Sequence, residues 1–100
     1  MSLIEEVKSA NRITTNDEGI VGELEGLIDA AKMDLKITGV NALLVESGED
    51  PLIKRAIVLY TKANFGFDNP DAERLQINYQ MLRDKLSMDI DYMAAILNET

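Results

Sequence analysis

Neither cysteine nor histidine occurs in the 100-residue sequence. That absence excludes disulfide frameworks, zinc sites built on thiolate or imidazole, thiol nucleophiles and the usual neutral-pH general base. No apolar run approaches the roughly 20 residues that span a bilayer, and MSLIEEVK carries glutamates where a secretory signal needs an apolar segment. The expected setting is therefore inside a cell or on a particle, away from membranes. Cations are scarce as well: 10 Lys and Arg stand against 18 Asp and Glu, a formal charge of −8. This balance favours solubility and opposes the counterion release that drives most binding to DNA or RNA.

Catalytic patterns are missing too. There is no phosphate-cradling G-x-x-x-x-G-K-[ST] loop, no G-x-G-x-x-G after a strand, and no nucleophile paired with a base. The pairs Glu5/Glu6 and Glu23/Glu25 fall on solvated helix faces, where nothing shifts one carboxyl relative to the other. Asp89 and Asp91 offer too few oxygens for a hard cation. The expectation is a non-enzyme with no catalytic residue, no cofactor and no metal.

What is present reads as helix. Apolar residues make up 46% and charged residues 28%, ordinary for one globular domain with a single core. The stretch Asp50–Leu86 organises the chain. Asp50-Pro51 and Asn69-Pro70 each place an acceptor at a helix N-cap and a proline at the first helical position. Between them Phe65-Gly66-Phe67 supplies a stop, with Gly66 free to turn left-handed. The result is a helical hairpin, about 51–64 followed by about 70–86.

Upstream, Ser2-Leu3-Ile4-Glu5 is a capping box for a short helix ending near Asn11, with Leu3, Ile4, Val7 and Ala10 as its apolar stripe and Ile13 as an anchor beyond. A second helix runs from about Asp17 to Thr38 and closes on Gly39. Its core face gathers Ile20, Leu24, Leu27, Ile28, Ala31 and Leu35. Val40–Glu49 is too apolar for a solvated loop and is either a turn of helix under the core or an exposed binding segment. The predicted architecture is all-α: a small bundle of four to five helices around the central hairpin, with one helical domain over 1–86. The tail, 87–100, reads as a short helix or a partly disordered segment.

Two stripes stand out as candidate subunit contacts. On the second helix Gly22, Gly26, Ala30 and Met33 gather opposite the core face, and glycine inside a helix costs about 1 kcal/mol relative to alanine. Small residues four apart let another backbone approach closely; facing solvent or packing within the monomer is the alternative. On the fourth helix Leu75, Tyr79, Leu82 and Leu86 form the inner seam. Ile77 and Met81, continued by Met88, form a second stripe on the far side.

The run Asp50-Pro51-Leu52-Ile53-Lys54-Arg55-Ala56-Ile57, continuing through Tyr60, Lys62-Ala63-Asn64-Phe65-Gly66 and Asn69-Pro70, resembles the small head-tail connector proteins of long-tailed bacteriophages and prophages. The short helix, the Ile13-Thr14 linker and the long helix ending at Gly39 are similar too. The resemblance covers roughly residues 1–86. It implies a non-enzymatic adaptor, sometimes labelled DNA-packaging: a homo-oligomeric ring beneath the portal protein that extends the DNA channel and docks the next head-completion or tail protein. DNA would pass through without specific binding. The implied location is the virion head-tail junction, with assembly in the host cytoplasm. Two other readings stay open, a small helical DNA-binding regulator using Lys54, Arg55, Lys62, Arg74, Arg83 and Lys85, and a regulatory subunit of a host complex.

Overall fold

The computed structural model describes residues 2–66 and 69–94, which form five helices: α1 (Leu3–Ala10), α2 (Glu18–Thr38), α3 (Ala42–Ser47), α4 (Pro51–Asn64) and α5 (Ala72–Met88). Among the described residues there is no strand, and one isolated antiparallel bridge joins Val40 to Met93. The architecture is all-α, as the periodicity predicts.

Local chemistry starts and stops most of these helices. The Glu5 amide donates to Ser2 Oγ at 3.3 Å and the Ser2 amide donates to Glu5 Oε1 at 3.0 Å, closing the capping box. The Ser2 amide and then its hydroxyl hold the Glu5 carboxyl below its usual range. Asp17 accepts from the Gly19 and Ile20 amides at the start of α2, and Asp50 from those of Leu52 and Ile53 at the start of α4. Gly39 ends α2 at φ 116, where the Gly39 amide donates to Lys36 O and the Val40 amide to Leu35 O. Residues 40–49 resolve as α3 tucked under the core: Asn41 caps it, Val40 and Val45 are buried, and Leu43 points outward.

One boundary differs from the sequence reading. Gly66 is left-handed at φ 78 as expected, and Phe67 lies outside the described residues. The next helix, however, begins at Ala72 and not at Pro70, because a turn closed on Asn69 comes first. Its Nδ2 donates to Lys62 O at 2.7 Å, satisfying a carbonyl that the end of α4 leaves open, while its Oδ1 accepts from the Asp71 amide at 3.0 Å. The Ala72 amide then donates to Asn69 O, so a turn comes before the helix. At its other end α5 continues through the 86–87 boundary to Met88.

The core lies around α4, which packs against α1, α2 and α5. Leu24, Ile28, Ala31 and Leu35 of α2 meet Ile53, Ala56, Ile57 and Leu59 of α4 and Leu75, Tyr79 and Leu86 of α5. Each large aliphatic chain buried there contributes about 1.5–3 kcal/mol. Thr61, buried on α4, satisfies its hydroxyl by donating to Val58 O at 2.9 Å. Leu52, in the first turn of α4, is 43% exposed while its neighbour Ile53 is fully buried.

Candidate functional site

The residues picked out from the sequence all lie on the outside of the bundle. Gly22, Gly26, Ala30 and Met33 are exposed along one face of α2, and exposed Ile37 extends it. A Cβ placed on Gly22 or Gly26 would meet nothing within 4 Å, so no neighbour inside the subunit requires either glycine. Ile77, Met81 and Met88 are exposed along the outer face of α5, at 49%, 62% and 73%. The structure gathers each stripe on its own helix and leaves both uncovered.

A polar clasp that the sequence did not disclose fixes how the two helices stand relative to each other. Tyr79 Oη donates to Asp34 Oδ2 at 2.6 Å, and Arg83 Nη1 donates to the same oxygen at 3.1 Å. The Arg83 guanidinium also lies 5.8 Å from the centre of the Tyr79 ring, in cation–π range. Tyr60 meets that ring edge-on with centroids 5.2 Å apart. Burial, reinforced by the bond to Asp34, pushes the Tyr79 phenol above its ordinary value. A half-buried carboxylate shared by a phenol and a guanidinium is satisfied, so the clasp holds the α2 and α5 stripes in a defined relation and does not present a reactive group. The i, i+4 pair Tyr79/Arg83 was the one signal available, and its partner lies 45 residues away from Tyr79.

A second fastening holds residues 89–94. The Asn41 amide donates to Tyr92 O at 2.8 Å, the Ala94 amide to Gly39 O at 2.7 Å, and Tyr92 Oη donates to the Asp50 carboxylate at 3.1 Å. Asp50 therefore caps α4 and anchors this strap at once. Ile90, on the strap's turn, is 85% exposed. Residues 95–100 lie outside the described residues.

The cations read as alternative DNA contacts do not form one basic face. Lys54 pairs with Glu6 at 3.5 Å, Arg74 with Asp71 at 3.6 Å, and Arg83 with Asp34 and Asp84. Among the described residues no group of three or more carboxylates is placed to hold a metal ion, and no helix is long and apolar enough to cross a membrane. The arrangement suits surface-to-surface contact: small residues, exposed methionines and isoleucines, and a rigid clasp beneath them.

Comparison with known proteins gives a match over residues 3–93 to a family model described as phage connector protein. No curated protein and no solved structure matches the chain.

Proposed function

Since the chain belongs to the phage connector protein family, and is with it a structural phage protein and a component of the virion, we propose that it is a non-enzymatic adaptor assembling into a ring at the head-tail junction. In this reading the ring sits between the portal protein and the next head-completion or tail protein and continues the DNA channel. The connector domain is then 1–86, and 87–94 complete it as the last turn of α5 and the strap. Assembly takes place in the host cytoplasm.

The observation that carries the reading is the pair of uncovered stripes, Gly22/Gly26/Ala30/Met33 on α2 and Ile77/Met81/Met88 on α5. A head-to-tail contact closes into a ring when each copy presents two different complementary surfaces, and this subunit leaves two apolar surfaces in water. Charge supports the channel. With −8 per copy, a ring accumulates negative potential, and a wall of that sign lets DNA slide past without gripping it.

Light scattering over a concentration series tests the association, with monomers in equilibrium with rings as the expected result. A tight dimer at every concentration overturns it. Electron micrographs of the protein mixed with portal should show annular particles seated on the portal. Their absence removes the adaptor role, and a basic lumen in a determined ring removes the sliding-wall argument.

A further inference from the structure

The charges of this chain are sorted by helix. Between Pro51 and Asn64, α4 carries Lys54, Arg55 and Lys62 and no carboxylate, whereas α2 from Glu18 to Ala31 carries Glu18, Glu23, Glu25 and Asp29 and no cation. Where α1 and α4 end and α5 begins there is a concave corner of about 350 Å³, to which α4 contributes Lys62. Arg12, Lys62 and Arg74 line it, together with Asn11, Asn69 and the partly buried Phe65. Asp71 is the one carboxylate among its described lining residues, and it is already paired with Arg74. Neither Arg12 nor Lys62 meets a carboxylate among the described residues.

Arg12 is the unusual member. It occupies the left-handed region at φ 57, the one non-glycine residue among the described ones with positive φ. Glycine or asparagine takes that conformation more readily. Held there, Arg12 lines the corner and meets no carboxylate among the described residues, so its charge is open to a group from outside the subunit.

We propose that this corner receives a carboxylate-bearing helix face from a second copy of the chain, the first half of α2. This rests on the reading that copies associate and goes beyond it by giving the α2 stripe this corner as its counterpart, which leaves the α5 stripe for a different neighbour. At about 100° per residue, Glu23 flanks the Gly22/Gly26 stripe on one side and Glu18 and Asp29 flank it on the other. All three are exposed. The missing Cβ atoms let the corner approach the helix backbone closely enough for those carboxylates to reach Arg12, Lys62 and Arg74. The −8 surplus that repels DNA is the supply of carboxylates for this corner. No residue of α2 lines the corner, so one copy can give its α2 face to one neighbour and receive another's, as a head-to-tail contact demands.

Charge reversal tests the pairing in the full chain. Reversing the corner with Arg12→Glu and Arg74→Glu, or the helix with Glu23→Lys and Asp29→Lys, should each weaken self-association by at least about tenfold in analytical ultracentrifugation at low salt. Combining all four should restore it. Arg12→Gly, which relieves the backbone while removing the charge, should weaken association without lowering the melting temperature, so that loss cannot be put down to misfolding. Association that survives both reversals overturns this pairing and leaves the ring reading intact. A wild-type chain that stays monomeric to millimolar concentration overturns both. A duplex DNA that binds in low salt and is lost with Arg12→Glu and Arg74→Glu makes DNA the occupant and overturns the pairing.

Discussion

α1 and α2 stop by the same hydrogen-bond pattern and with different residues. At the end of α2 the Gly39 amide donates three residues back and the Val40 amide five back; at the end of α1 the Arg12 amide donates to Ser9 O and the Ile13 amide to Lys8 O. Both motifs set one residue at positive φ and turn the next apolar chain inward. Gly39, at φ 116, lies outside the small left-handed well open to L residues, whereas Arg12, at φ 57, lies inside it. The same backbone problem thus has a compulsory solution in one place and an elective one in the other. Where the residue is elective, its side chain carries information about what lies outside the fold.

The largest way to break that contrast is Gly39→Ala. A Cβ there would have room, since Ser87 Cβ is 3.8 Å away, so the cost is backbone strain of about 2 kcal/mol. Thermal unfolding should show a fall of roughly 8–16 °C, given about 4–8 °C per kcal/mol for a chain this size. An unchanged melting temperature would mean that the glycine is elective too. Gly22→Ala should act oppositely: it sits in regular helix with open space around it, and alanine should add about 1 kcal/mol to the subunit. If the stripe is a close contact, the same variant should associate more weakly while melting higher, a split that calorimetry and sedimentation read separately. Arg12→Gly should gain roughly 0.5–1 kcal/mol; a loss would show that the arginine holds its own subunit together. The smallest effect is expected from Tyr92→Phe. Removing the hydroxyl that reaches Asp50 should barely move the melting temperature but speed amide exchange at Asn41 and Ala94, leaving the α1 end untouched. Equal exchange in both proteins would show that the backbone bonds alone hold residues 89–94.

Much of this was legible in the sequence because it is local. Ser2, Asp17, Asp50 and Gly39 act within a few residues of themselves, and helical spacing sorted Leu24, Ile28, Ala31 and Leu35 from the outer glycines without reference to any other helix. Both outer stripes were found the same way. Asn69 misled because an acceptor before proline suits a turn as well as a cap: its Oδ1 does take the Asp71 amide, but the Ala72 amide closes three residues back on Asn69 O. The clasp of Asp34 with Tyr79 and Arg83, and the bond between Tyr92 and Asp50, depend on partners 42 to 49 positions apart. No periodicity encodes such a meeting. Arg12 escaped for a related reason: a left-handed turn is announced by glycine, and here glycine is absent.

The bridge between Val40 and Met93 has a bearing on how the protein is made. Helices α2, α3 and α4 leave the ribosome well before the strap that completes the α2–α3 junction, so for that interval the Asn41 amide and the Gly39 carbonyl face water. Until translation has passed residue 94, the nascent chain lacks that seal. The α2–α3 junction is thus completed only once residues 92–94 are available to it, later than the helices on either side.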